Sequence, residues 1–430
     1  MNPTTASRAD QPTIETRQSW VVATVALACM ACSFGGLWIV SVGLKAIAAD
    51  AGNARSVPAL AAALAWLGSG LGGVAMGPIA TRYGIRWTVI FGATMIGVGL
   101  CVSTLGAGLP LWIGHGFFMG LIGNAGLNAP LYIYVSRWFD RRRGSALALI
   151  SSGSYIAGAV WPTIFERAIA TYGWKNSMLT YAAFEVAVIV PLAAWFFRAP
   201  PESIGAAPGT MIARKGSVLG LRPNTMFAMM AAAAFACCVP MAMPQGHIVA
   251  FCSDLGIAQT HGAAMLSFIL GTAFVTRQLW GAISDKIGGL LTVLIGSAVQ
   301  ALAMIAFLLT QDEIGLFTVS AVYGLGFAGI IPAYVLAIRE YFPAREASWR
   351  IPTLLMFSGG GMAAGGWIAG VLYDYFGYYL PAFTTGIVFN LMNLVLVGTL
   401  VFRQHRDSGL AFSGAAAPRL AVERRSGNNA

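Results

Sequence analysis

The sequence predicts an all-α membrane protein of twelve transmembrane helices, arranged as two pseudo-symmetric six-helix bundles. Three observations predict it. Of the 430 residues, 57% are apolar and only 10% are charged, whereas a soluble domain carries about 25% charged residues. Apolar stretches long enough to span a bilayer, about 20 residues each, recur along the whole length. Short segments of related sequence also recur at one fixed offset, in equivalent places of the two halves.

The elements follow in order. No charged residue occurs between Arg17 and Lys45, which gives helix one, and Val57 to Ala80 gives helix two. Trp87 to Ser136 contains no Asp, Glu, Lys or Arg. It holds helices three and four, divided at the turn signal Gly106-Ala107-Gly108-Leu109-Pro110. Gly144 to Phe165 and Ser177 to Phe197 make helices five and six. Arg198 to Asn224, with Pro200-Pro201, is a polar linker. Helices seven to twelve are expected at Thr225 to Phe251, Ala263 to Ser284, Leu290 to Leu309, Gly315 to Ile338, Pro352 to Leu372 and Pro381 to Phe402. The expected organisation is a tail at 1–18, a bundle at 19–198, a linker at 199–224, a second bundle at 225–403 and a tail at 404–430. The start is polar and mixed, without the basic start and short apolar core of a secretory signal.

The net charge of +10 has a topological source. With both termini on the cytoplasmic side of a bacterial-type inner membrane, 21 of the 26 basic residues fall on that side. Only Lys45, Arg55, Arg167 and Lys175 fall outside, and Arg277 alone lies in a span. That asymmetry satisfies the positive-inside rule, so no nucleic-acid partner is needed. Among six scattered cysteines, Cys29 and Cys32 form a C-x-x-C pair. Metal or redox chemistry is one reading; small packing residues in a membrane helix is the other. No cofactor or metal is expected, and the chain is expected to be a monomer in the bilayer.

The repeat has an offset of 204 residues. Gly77-Pro78-Ile79-Ala80-Thr81-Arg82-Tyr83-Gly84 after helix two matches Gly281-Ala282-Ile283-Ser284-Asp285-Lys286-Ile287-Gly288 after helix eight. Tyr172-Gly173-Trp174 matches Phe376-Gly377-Tyr378, and Gly120-Leu121 matches Gly324-Leu325. Trp138-Phe139 and Tyr341-Phe342 agree within one residue. Several matches in equivalent places indicate a duplicated six-helix unit.

On these residues the chain, over about 18 to 403, resembles the major facilitator superfamily. The G-x-x-x-D-R/K-x-G-like segments look like its hallmark loop. That resemblance implies a gating latch of charged groups at Gly77, Arg82, Gly281, Asp285 and Lys286. The second copy is intact, whereas Thr81 replaces the acid of the first. Arg137-Trp138-Phe139-Asp140-Arg141-Arg142-Arg143-Gly144 and Phe274-Val275-Thr276-Arg277-Gln278-Leu279-Trp280-Gly281 are similar to the monocarboxylate and oxalate–formate antiporter branch. So is Pro244-Gln245-Gly246-His247-Ile248-Val249, with Asp254-Leu255-Gly256-Ile257 after it. The resemblance implies that Arg277 binds a substrate carboxylate. An acid that the branch places one turn earlier is here Ala273, a lysine in helix one of its animal members aligns near Trp38, and the second cation of the oxalate exchanger gives way to Ser358, Gly359, Gly360 and Gly361.

Arg277 is the sharpest single residue. An arginine at membrane depth costs several kcal/mol unless paired or hydrated, and its planar fork suits a carboxylate. It reads as a substrate anchor or, alternatively, as a snorkelling residue or structural partner of an acid such as Asp285. Asn124 and Asn128 share one face of helix four and can hydrogen-bond substrate or a neighbouring helix. Tyr155, Trp161 and Trp38 can wall a cavity or pack. His247 and His115 can carry a coupling proton or simply pack, and Glu185 is the one acid well inside a span. Glycine-rich faces at Gly68-Ser69-Gly70 and Gly359 to Gly366 permit close helix crossing. No paired-carboxylate, H-E-x-x-H or G-x-S-x-G arrangement occurs, so an enzyme is not expected. The expectation is a secondary transporter for a small organic anion such as a monocarboxylate, driven by a proton or an exchanged anion. A drug or metabolite exporter is the first alternative and a non-transporting membrane sensor the remote one.

Overall fold

The computed structural model describes residues 15–139, 142–198 and 218–414. Their regular structure is helical, apart from one isolated bridge between Val218 and Leu221. Among the described residues, ten helical segments are long and apolar enough to cross a membrane. One of them, Ser145–Phe196, has 52 residues, roughly 78 Å at helical rise against a hydrocarbon core of about 30 Å. It breaks at Gly173, whose φ of 76° and ψ of 162° suit a residue without a side chain. A further segment, 109–136, is helical throughout but changes type twice: Leu109–Trp112 is α, Ile113–Asn124 is π and Ala125–Ser136 is α. With Ser145–Phe196 divided at Gly173 and 109–136 taken as one, the described residues hold twelve helical segments of crossing length.

They are α1 (Arg17–Val42), α2 (Ser56–Tyr83), α3 (Ile85–Ser103), α4 (109–136), α5 (143–172) and α6 (173–196) in the first half. The second half holds α7 (Pro223–Asp254), α8 (Gln259–Ile287), α9 (Gly289–Leu309), α10 (Glu313–Tyr341), α11 (Ala344–Phe376) and α12 (Leu380–Gly414). A short turn of helix, Leu44–Ala49, follows α1. The halves meet where α2 packs on α11 and α5 packs on α8.

Three elements differ from the sequence reading. The first is α1, which turns at Phe34. The carbonyls just before the turn find partners outside the helix: Ala31 O accepts from the Trp161 indole at 2.9 Å, and Cys32 O accepts from the Tyr181 hydroxyl. That is how a broken helix is tolerated in oil. The second is α11, which begins at Ala344, well before Pro352. Third, α12 runs past Phe402 to Gly414, into the stretch expected to be tail. An α-helix satisfies its own backbone, so α12 can continue once it has left the apolar layer. Residues 199–217 of the expected linker, like 1–14 and 415–430 of the tails, lie outside the described residues.

The glycine-rich faces draw helices together, though not at every glycine. A Cβ on Gly68 would stand 2.6 Å from Gly116 O, and one on Gly72 would stand 1.9 Å from Leu121 O. Both are contacts of α2 with the π segment of α4. On α11, Gly361 and Gly365 press in the same way against the carbonyls of Phe235 and Val239 on α7. Gly70, Gly359 and Gly366 face open space.

Candidate functional site

Arg277 stands on α8, ten residues or roughly 15 Å before the helix ends at Ile287. It is half-buried. Its guanidinium carbon lies 5.0 Å above the Tyr155 ring of α5, a cation–π distance. The Tyr155 ring lies 6.2 Å from that of Phe327 on α10. Tyr132 of α4, beside Ser151, is within electrostatic reach of Arg277 and Tyr155. Side chains of both halves therefore converge on one cation. Among the described residues no carboxylate pairs with it. The side chain of Asp285 lies outside the described residues.

The other candidates are distributed. Asn124 sits where the π segment of α4 returns to α-helix, and both atoms of its amide are buried without a partner. Asn128 follows one turn on and is half-buried. Trp38 is buried, and its indole N–H is unpartnered. Buried polar groups are nearly always hydrogen-bonded, and these have no partner among the described residues. His115 is a contact of α3 with α4: Ser103 donates to Gly99 O at 2.7 Å, so the His115 Nδ1–H donates to the Ser103 oxygen at 2.7 Å. Glu185 is fully buried on α6 with no hydrogen-bond partner, near Cys29 and Cys32 of α1. Of the latch residues, Arg82 is exposed beside the Tyr83 ring, and Lys286 is exposed. Neither forms an ion pair among the described residues. Gly77 has the Ile133 side chain 3.5 Å from its Cβ position, and Gly281 faces open space.

At the end of the bundle opposite the chain termini, the halves are joined by Arg55 and Lys45, which the sequence reading treated only as outer-side charges, and by Asp254, Asp374 and Tyr379. Arg55 binds Asp254 through two parallel hydrogen bonds of 2.6 and 2.7 Å, the strongest geometry for this pair. Its guanidinium also donates to the Tyr379 hydroxyl at 2.8 Å and lies 3.6 Å over the Tyr373 ring. Burial opposes the charge on Arg55, but Asp254 and Tyr379 together outweigh it and hold the group above its ordinary pKa. Burial likewise pushes the Tyr379 phenol up. Lys45 adds bonds to Asp254 at 3.1 Å and Ser253 at 2.9 Å. Asp374 accepts from the Arg55 and Ser56 amides at 2.7 and 2.9 Å. It thus caps α2 with a carboxylate from the other half.

His247 belongs to this network. Its Nε2 lies 2.8 Å from Gly366 O, so Nε2 carries the proton. Nδ1 then accepts from the Tyr379 hydroxyl at 3.0 Å. A continuous relay runs from Arg55 through Tyr379 and His247 to α11. Sequence reasoning found His247 and missed Arg55, Asp254, Asp374 and Tyr379, because their pairing crosses about 200 to 320 positions of the chain and has no local pattern. Two signals were available: Lys45 and Arg55 are two of only four basic residues on that side, and Asp254 follows His247 in a motif shared with the monocarboxylate branch.

The family model described as Major Facilitator Superfamily matches residues 26–348. The chain belongs to the Major Facilitator Superfamily. Its curated relatives in this superfamily are distant. The MFS-type transporter pynF of Aspergillus niger is 23% identical over 317 residues, covering 72% of each chain. The sialic acid transporter NanX of Escherichia coli is 26% identical over 83% of this chain and 87% of its own. The agnestins efflux protein AgnL12 of Paecilomyces divaricatus is 22% identical over 59% and 57%. Among solved structures, a POT family transporter in complex with a thioalcohol-conjugated peptide superposes with a TM-score of 0.70 at 12% identity, over 89% of this chain and 96% of its own. A bacterial homologue of the lysosomal transporter Spinster gives 0.68 at 13% identity, over 91% and 98%. At these identities the structural likeness speaks for the fold. The superfamily assignment makes this chain a membrane transporter.

Proposed function

We propose that this transporter carries a small organic anion of the monocarboxylate type by alternating access. One observation carries the reading: Arg277 stands half-buried where the two halves meet, with an aromatic face beneath it and no carboxylate partner among the described residues. A lone guanidinium at depth is stabilised when an anion passes beside it. A single cation there suits a monoanion better than a dianion. Asn124, Asn128, Trp38 and Tyr155 supply the hydrogen bonds and walls of the passage. The relative that carries sialic acid, itself a carboxylic acid, supports an anionic cargo. The hallmark-loop residues Gly77, Arg82, Gly281, Asp285 and Lys286 latch the end that carries the termini in the opposite state. The chain works as a monomer in a bacterial-type inner membrane with both termini in the cytoplasm.

His247 is our choice for the coupling proton, ahead of His115 and Glu185, with exchange of a counter-anion as the other drive. The groups facing it are Tyr379, Tyr373, Arg55, Asp254 and Asp374. A proton on Nδ1 ends its acceptance from Tyr379 and sets a second positive charge beside Arg55. The closed end is then weakened.

The test is uptake of labelled lactate and pyruvate into proteoliposomes. Arg277→Ala abolishes uptake, and Arg277→Lys, which keeps charge but loses the fork, retains a small fraction. Unchanged uptake in both variants removes Arg277 from the site. The efflux relative favours a second reading, export of a metabolite or drug. Resistance to lipophilic cations on overexpression, without carboxylate uptake, would establish that instead.

A further inference from the structure

The first half has a cationic cavity at the end that carries the termini, on the flank of α2, α3 and α4. It encloses about 340 Å³ and is lined by Arg86, Arg137 and Arg198, with Thr81, Gly84 and Trp87 around them. Arg86 is anchored by its Nε, which donates to Phe197 O at 3.1 Å. The Tyr134 hydroxyl fixes the chain beside it by donating to Arg198 O at 2.8 Å. Among the described residues no carboxylate pairs with any of the three arginines.

The second half fills the equivalent place with its own anion. Arg137-Trp138-Phe139 corresponds to Glu340-Tyr341-Phe342, so an arginine stands where the repeat has a glutamate. Both Glu340 oxygens accept from Gly289 N, at 3.2 and 3.1 Å, and cap the start of α9. In the first half α3 starts at the matching glycine turn without a side-chain cap or an acid in its first turn. Arg86 sits in that turn, where the helix dipole disfavours a cation. Thr81 has replaced the motif acid, and its hydroxyl is spent on Pro78 O at 2.7 Å. Among the described residues, nothing balances the charge of this corner.

We propose that this cavity binds the phosphate of an anionic phospholipid from the adjoining leaflet. Guanidinium groups and free helix-start amides are the donors a phosphate requires. A lipid, rather than free phosphate, is indicated by Trp87 of the lining, which is 65% exposed, and by Tyr83 one turn of chain before it, which is 61% exposed; such aromatics mark the headgroup level of a bilayer. The bound phosphate replaces the carboxylate that the second half supplies from Glu340, and it ties α3 to α4 and α6.

Native mass spectrometry of the full chain tests this, with phosphatidylglycerol, phosphatidylcholine and inorganic phosphate as separate probes. Phosphatidylglycerol should be retained in preference to phosphatidylcholine, and each arginine removed should weaken retention roughly fivefold. The variants are Arg86→Gln, Arg137→Gln and Arg137→Glu. The last rebuilds the arrangement of the second half, so it loses the lipid yet keeps its thermal stability in neutral lipid, which separates lost binding from lost folding. Arg339→Gln, an exposed change on the same side of the second half, leaves retention intact. Equal retention of both lipids, or undiminished retention in Arg137→Glu, overturns the proposal. Inorganic phosphate displacing phosphatidylglycerol at equal concentration overturns the lipid and leaves a free-anion site.

Discussion

Arg277 and Arg55 are both arginines in largely apolar surroundings, and the structure gives them opposite circumstances. Arg55 is 6% exposed and saturated by Asp254, Tyr379 and the Tyr373 face; Arg277 lies over the Tyr155 ring and has no ion-pair partner among the described residues. The first joins the halves, and the second is the anchor proposed for the substrate. Removing one member of a buried, hydrogen-bonded ion pair costs about 3 kcal/mol, which is about a hundredfold in an equilibrium. Asp254→Asn should therefore open the end opposite the termini. Hydrogen exchange of the Arg55 and Ser56 amides, which Asp374 holds, should quicken by up to that factor. Exchange at the same amides, corrected for its intrinsic pH dependence, should also quicken in the parent protein as pH falls below the ordinary histidine range, roughly 6.5. The direction follows from adding positive charge beside Arg55, so low pH loosens the closure. His247→Gln, which is neutral at every pH, should remove that dependence. An unchanged profile in His247→Gln assigns the proton elsewhere.

At the scale of elements, glycine decides how near helices come. Gly68 and Gly72 are one turn apart on α2, and Gly361 and Gly365 one turn apart on α11; each pair presents one face to a neighbouring backbone. The sequence marked both stretches as glycine-rich without separating the glycines in contact from those in the open. Gly72→Ala drives a methyl into the Leu121 carbonyl and should lower the melting temperature by several degrees. Gly70→Ala, with nothing within 4 Å, should leave it unchanged or raise it slightly, since alanine favours the helix. Thermal denaturation of the two purified variants side by side reads the difference. The π segment of α4 was not legible in advance. Its hydrogen-bond shift answers to close packing on α2 and α3, at Gly68, Gly72, Gly92 and Gly99, and that contact joins residues far apart in the chain. The turn in α1 is similar: nothing near Phe34 announces it, and the carbonyls it frees are satisfied by Trp161 and Tyr181 from other helices.

The whole molecule is two duplicated halves held at one end. If they rock about a central site, fixing that end must stop transport. Lys45 Nζ and Ser253 Oγ are 2.9 Å apart across the halves. Bridging a Lys45→Cys/Ser253→Cys pair with a short bis-methanethiosulfonate, whose arms span the length that the lysine side chain spans, should halt solute flux, and reductant should restore it. Continued flux through the cross-linked protein would contradict a rocking mechanism. By itself the sequence determined the helical membrane class, most span positions, the internal repeat and the one cation at depth. Those follow from composition, from apolar length against bilayer thickness and from a fixed offset, all of which are local or additive along the chain. Only the tertiary structure decided that Arg55, Asp254, Asp374 and Tyr379 join the halves at the end opposite the termini, and that Arg277 lies over the Tyr155 ring with no carboxylate partner among the described residues. Ion pairs, caps and relays between the halves depend on which distant residues the packed helices bring within hydrogen-bond distance, and no spacing rule in the chain encodes that.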